Sequence, residues 1–262
     1  MIRKLLVFAV LCATPLFCTE PKRNPEILEM AKSWLRSLAD PQVDSPEAFA
    51  WFYPVAHPRF NCILHFDYTE KVGEHMDALI AQAPAMTPIA FWTDPENTHP
   101  QVIEALKTRN FASIGCYPAM IWEVKPTDLP QFEVREADLN VFHTILGVCL
   151  NYNEEAQQAS LNLLKDKRAE HYLIYLEGKP VGTGTLFIHK DLGMVAHIAT
   201  LPEYQKRGIG RAIMQYMMHQ ASERGLKKLV LYSSHVAQKL YLNLGFQKVG
   251  DAEIYIRDPA SL

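Results

Sequence analysis

Apolar positions recur at helical spacing over residues 24–38, where Ile27, Leu28, Met30, Ala31, Trp34, Leu35 and Leu38 follow an Asn24-Pro25-Glu26 opening. The pattern predicts a capped amphipathic helix with proline at its first position. Prolines at positions 41, 46, 54 and 58 punctuate the next stretch, which shows no period. Residues 61–68 then alternate loosely as a strand, 71–82 read as a helix, 88–93 as a strand and 99–111 as a helix.

A polar, proline-bounded segment at 126–130 interrupts this series and marks a boundary. Beyond it come a strand at 132–137 and a helix that Asp138 caps, carrying Leu139, Phe142, Ile145, Leu146 and Cys149. Helical residues follow at 154–165. The runs 170–176 and 181–188, turned by Glu177-Gly178-Lys179-Pro180, read as a hairpin. A short apolar run at 194–200 suits a buried strand, and Ile213, Met214, Met217, Met218 and Ala221 recur on the helix after it, which runs to Arg224-Gly225. A strand at 229–233, a helix from Val236 and a strand near 253–256 complete the order.

Composition narrows the class. A chain of 262 residues, 48% hydrophobic and 21% charged, is globular, with length for one large domain or two modest ones. The net charge of -3 and the lack of a long basic run give no footprint for nucleic acid, so the expected partner is a small molecule or a protein. Residues 1–22 form a signal-like leader: Met1-Ile2-Arg3-Lys4, an apolar core to Phe17, then an abrupt polar turn. That core is too short to span a membrane, for which about twenty apolar residues are needed. Five cysteines, Cys12, Cys18, Cys62, Cys116 and Cys149, match neither a disulfide framework nor a zinc site, and are expected to be thiols.

The chemistry concentrates between the 194–200 strand and the helix after it, in Leu201-Pro202-Glu203-Tyr204-Gln205-Lys206-Arg207-Gly208-Ile209-Gly210-Arg211. A helix N-terminus has unpaired N–H groups and the positive end of the dipole, so glycine-freed backbone there can close around phosphate oxygens. Lys206, Arg207 and Arg211 add charge. Dinucleotide and nucleotide loop patterns are absent, since no glycine follows Gly210 at the third position and no G-x-x-x-x-G-K-[ST] occurs. By itself the pair of glycines reads better as an ordinary strand-to-helix turn. It is followed, however, by Ala237-Gln238-Lys239-Leu240-Tyr241-Leu242-Asn243-Leu244-Gly245-Phe246.

Q-x-x-G-x-G followed by A-x-x-L-Y-x-x-x-G-F resembles the GNAT acetyltransferase superfamily, over roughly the last half of the chain. Gln205 stands where arginine is commoner. The resemblance implies an α/β (α+β) fold, a mixed central sheet flanked by helices, and an acetyl-CoA-dependent N-acyltransferase that needs no metal. It implies that the amides of Gln205, Lys206, Arg207, Gly208, Ile209, Gly210 and Arg211 hold the pyrophosphate. Ile198, Ala199 and Thr200 would run beside the pantetheine arm, where an N–H stabilises the oxyanion, and Ser234 would stand near that arm. Tyr241 is the implied acid for the departing thiolate, a phenol staying protonated at neutral pH, with helix packing as its alternative. His197 reads as a core residue by strand parity, with a base role as the minority reading.

An internal comparison sets residues 104–115 on 239–250, where Phe111 and Phe246, the β-branched Ile114 and Val249, and the glycines Gly115 and Gly250 coincide. Each copy follows an apolar strand. Leu106 stands where the second copy has Tyr241, and the first half shows no glycine-rich cradle. With Phe91-Trp92-Thr93-Asp94-Pro95, this resembles two-lobed GNAT proteins: a degenerate lobe at 23–126 and a catalytic domain at 131–262. A chance match remains the competing reading. The acceptor is expected to be an amine of a small molecule or protein. CoA chemistry favours a cytoplasmic location, whereas the leader suggests secretion or the envelope. Besides an enzyme, a catalytically silent CoA-binding module fits the same residues, and the leader alone suggests a host-directed or envelope interaction protein.

Overall fold

The structure, a computed structural model, describes residues 25–94, 98–165 and 168–259. The leader lies outside the described residues, as does Asn24. Among the described residues no helix is long and apolar enough to cross a membrane.

The chain forms α1 (Pro25–Leu38), β1 (Val43–Asp44), β2 (Ala48–Phe52), β3 (Asn61–Phe66), α2 (Val72–Ile80), β4 (Ile89–Thr93), α3 (Pro100–Thr108) and β5 (Ala112–Glu123). It continues as β6 (Glu133–Glu136), α4 (Leu139–Leu150), α5 (Glu154–Leu163), β7 (Ala169–Leu176), β8 (Lys179–His189) and β9 (Leu192–Thr200). The last elements are α6 (Ile209–Glu223), β10 (Lys228–Tyr232), α7 (His235–Asn243) and β11 (Gln247–Arg257). Local chemistry sets several ends. Asp138 accepts from the N–H groups of Asn140 and Val141 at 2.9 and 3.1 Å, which starts α4.

The strands make one mixed sheet in the order β1-β2-β3-β4-β11-β5-β10-β9-β8-β7-β6. Only β3 with β4 and β9 with β10 run parallel among its neighbouring pairs. The expected preceding lobe is thus not a separate sheet. The last strand of each half is lodged in the other: β11 pairs with β4, β5 pairs with β10, and the two pair with each other. Ala119, Met120, Ile121 and Trp122 of β5 are all buried, and such a two-sided apolar strand is stable only with both edges covered.

The sequence pattern misses β2. Its residues Ala48-Phe49-Ala50-Trp51-Phe52 are all buried, so nothing alternates, and the flanking prolines disguise the run as loop. On β10, Leu229 and Leu231 pack with Ile213, Met214, Met217 and Met218 of α6, while Val230 faces Ile27, Met30 and Trp34 of α1. Each fully buried side chain of this size contributes roughly 1.5–3 kcal/mol. The halves also interlock through helices. Trp34 meets Phe187 edge-on at 5.0 Å, the Lys228 ammonium bonds Glu26 at 2.8 Å, and His57 packs on Tyr152 at 5.1 Å.

Candidate active site

The β9–β10 ladder is short. Lys228, Leu229 and Val230 pair with Leu192, Gly193 and Met194, and beyond that point the strands part although both continue. The cause lies on β9. Its pairing with β8 shifts register between Thr183 and Thr185, and opposite that shift His197 takes φ 53. A bulge bends its strand, and a non-glycine residue at positive φ is held there only by its surroundings. Thr183 Oγ1 donates to the His197 carbonyl at 2.8 Å, and the His197 ring lies edge-on to Trp34 and Phe142 at 5.5 and 6.2 Å. The main chain of Ile198, Ala199 and Thr200 therefore borders a gap on the β10 side, while Ala199 and Thr200 stay paired to Thr183 and Gly182 on the other.

His197 is tied into a buried chain. Its Nδ1 lies 3.2 Å from Thr185 Oγ1, which lies 2.8 Å from His171 Nδ1, and His171 Nε2 lies 2.8 Å from the Leu164 carbonyl. Because a carbonyl only accepts, His171 carries its proton on Nε2, Thr185 donates to His171 Nδ1, and His197 donates from Nδ1 to Thr185. Burial, then the nearby His171 and Arg59, push the His197 pKa down to about 3. The imidazole is neutral at physiological pH.

At the end of β9 a single 3-10 turn, Pro202–Tyr204, leads to the glycine loop, and Gln205 Nε2 reaches back to the Thr200 carbonyl at 3.4 Å. Gly208 caps α6 with φ 84 and no side chain bonds the helix start, so its first N–H groups face outward unsatisfied by side chains. Lys206, Arg207 and Arg211 are exposed and make no salt bridge among the described residues; Arg207 sits over the Tyr204 ring at 5.5 Å. The two glycines act differently. Gly208 is favoured by its left-handed backbone angle, with nothing within 4 Å of an added Cβ, whereas a Cβ on Gly210 would meet Leu240 of α7 at 3.4 Å. The Ile209 side chain is buried in the core, so only its main chain faces the loop.

Ser234 is exposed at the start of α7 without making a cap bond. Tyr241, two turns on, is buried beside Phe246 at 5.8 Å, and burial pushes its phenol up to about 12. Tyr241 packs among the α6 residues, whereas His197 packs against α1 and α4, so the structure puts these two groups on opposite faces of the sheet.

Residues 138–246 match the Acetyltransferase (GNAT) family. The chain carries a GNAT domain. The uncharacterized protein YyaT of Bacillus subtilis is 32% identical over 81 residues, 31% of this chain and 55% of that protein. The uncharacterized N-acetyltransferase YjcF of the same organism is 25% identical over 88 residues, 34% of this chain and 63% of its own length. The chain thus spans a little over half the length of these curated relatives. A GCN5-related N-acetyltransferase from Kribbella flavida shares the fold at TM-score 0.62 and 18% identity, over 89% of this chain and 95% of that one. A functionally unknown conserved protein from Staphylococcus epidermidis does so at TM-score 0.63 and 13% identity, over 83% and 93%. Both likenesses extend well beyond the GNAT domain into the first half.

The first half contains a feature that its sequence hides. Lys71 at φ 47 caps α2 just as Gly208 at φ 84 caps α6; Val72 and Ile209 are both buried, and Gly73 and Gly210 follow. The helices after β4 and β10 end alike, with Asn110 at φ 62 where Gly245 has φ 92, and with Phe111 and Phe246 buried next. The first half still shows no glycine-rich loop. The backbone is there, but a lysine occupies the left-handed position, and no glycine pattern reveals it. Leu106, the counterpart of Tyr241, is fully buried.

Proposed function

We propose that the chain is an N-acyltransferase that moves an acetyl group from acetyl-CoA to an amine. The observation that carries this reading is the coincidence, at one end of β9, of a strand gap bordered by Ile198, Ala199 and Thr200 with a helix start that no side chain caps, flanked by three exposed cations that make no salt bridge among the described residues. This set fits a pyrophosphate with a long polar arm: the N–H groups from Gln205 to Arg211 and the charges of Lys206, Arg207 and Arg211 suit phosphate oxygens. The freed edge of β9 suits the amide-bearing arm, as a strand edge suits an added strand. Bound there, acetyl-CoA would supply the acyl thioester.

The chain's own groups supply the rest. In this reading a main-chain N–H of the 198–200 stretch stabilises negative charge on the reacting oxygen. Tyr241, kept protonated by burial, holds a proton for the leaving sulfur, while the amine nitrogen forms the new C–N bond as the C–S bond breaks and gives its own proton to water or a base. The test is release of free CoA thiol from acetyl-CoA with a panel of amines, with mass spectrometry of the product. Acetylated amine in the presence of protein supports the reading. Tight CoA binding without thiol release for any amine would instead identify a silent CoA-binding module.

A further inference from the structure

The reciprocal halves give the cofactor gap a counterpart. β3 and β4 pair in parallel through Cys62 with Ala90 and Ile63 with Phe91, and then part, as β9 and β10 do. Between their ends lies a cavity of about 340 Å³, whose walls include Phe66, Asp67, Tyr68, Trp92, Asp94 and Tyr232. That volume is typical of a small-molecule pocket.

Its charge is inverted. With Lys71 set on Gly208, the cations Lys206, Arg207 and Arg211 are replaced by Thr69, Glu70 and Glu74. Lys71 itself is 3.8 Å from the Glu74 carboxylate, and Arg109 bonds the Gly73 carbonyl and is paired with Asp77 at 2.6 Å. A Cβ on Gly73 would lie 2.8 Å from Arg109 Nη2, so the guanidinium packs against the start of α2 as Leu240 of α7 packs against Gly210. Asp67 and Asp94 stand on the cavity itself, with His65 and His99 beside them; His99 Nδ1 accepts from the Gln101 N–H at 3.3 Å. Such a surface repels pyrophosphate.

The remaining walls are aromatic. Phe66 meets Tyr68 edge-on at 5.1 Å, and Trp92 meets Tyr232 at 5.1 Å. The Tyr232 hydroxyl has no hydrogen-bond partner among the described residues, and burial together with the Asp94 carboxylate raises its pKa. Aromatic faces with carboxylates close by attract compact cations. We propose that this cleft, the remnant of a cofactor cleft, is a second ligand site that takes a small organic cation, an alkylammonium or arylalkylammonium ion. Tyr232, at the end of β10 where the cofactor gap opens, makes one wall common to both halves.

Calorimetry on the full chain tests this with phenethylamine and cadaverine, with phenethyl alcohol as the uncharged counterpart, and with CoA titrated separately. The expected result is one amine per chain, binding at least tenfold tighter than the alcohol and not displaced by CoA. Asp67→Asn with Asp94→Asn should cost at least tenfold in amine affinity and leave CoA affinity unchanged. Glu70→Lys with Glu74→Lys, exposed just after the Thr69 wall of the cavity, should weaken the amine severalfold through the reversed charge and keeps the test decisive where the first variant fails to fold. No amine binding at millimolar concentration, equal binding of the alcohol, or displacement by CoA would overturn the proposal. Binding is read without turnover, so its failure leaves the transfer reading standing, and the reverse holds too.

Discussion

At Tyr241 a single hydroxyl separates chemistry from packing. Tyr241→Phe keeps the ring against Phe246, so acetyl-CoA affinity should barely change, while kcat should fall by about a hundredfold to ten-thousandfold, the usual weight of general acid catalysis. Because burial pushes this phenol up to about 12, its deprotonation should not limit the wild-type rate below pH 10, where an ordinary tyrosine already titrates. Steady-state kinetics from pH 6 to 10 check both statements; a variant with near-normal kcat would return Tyr241 to the core. Gly208→Val tests the loop. At φ 84 a β-branched residue costs roughly 1–2 kcal/mol, yet the space for its Cβ is open, so the protein should fold with a modestly lower Tm. Its CoA affinity should drop far more than its stability, because the Cβ stands where phosphate approaches. Unchanged affinity by calorimetry would remove the loop from the site.

The bulge in β9 belongs to the scale of elements, since one residue at positive φ decides where two strands part. His197 supports that bend as a neutral donor to Thr185. Its folded pKa of about 3 lies below the usual 6.5, so between those values the unfolded chain binds a proton that the folded chain does not. Stability should therefore fall as pH drops from 6.5 toward 3. By pH 4, two and a half units below the usual value, this group alone would account for about 3 kcal/mol, at about 1.4 kcal/mol per unit. Asparagine tolerates positive φ and keeps a donor near the same place. His197→Asn should thus narrow the gap between urea unfolding at pH 7 and at pH 4 by a comparable amount; an unaltered gap would show that other groups carry the acid sensitivity.

On the scale of the whole molecule, the exchange of β5 and β11 makes the halves mutually dependent. A fragment of residues 131–262 keeps the glycine loop, Ser234 and Tyr241 but loses β5, leaving β10 with an apolar open edge, and loses α1, which covers Val230 and Phe187. It is expected to be insoluble or inactive, and co-expression with residues 23–126 should restore soluble protein. A monomeric, CoA-binding fragment in size-exclusion chromatography would refute this. CoA should bind the full chain at one per chain, since the first-half cleft has Glu70 and Glu74 where the other has arginines.

Periodicity, caps and the two spaced motifs were enough to determine most elements, the family and the loop from Gln205 to Arg211, because these depend on local backbone chemistry: a helix cap, a left-handed glycine, an apolar stripe. β2 was not legible, because a strand buried on both faces has no alternation to read. Nor was the cleft of the first half, because Lys71 adopts a left-handed angle that nothing in its side chain announces. Which face His197 and Tyr241 occupy, and which half each last strand joins, were decided only by the tertiary structure. Those outcomes depend on pairing between residues more than a hundred positions apart, such as Glu253 with Thr93, and no local pattern in the sequence encodes such a partner.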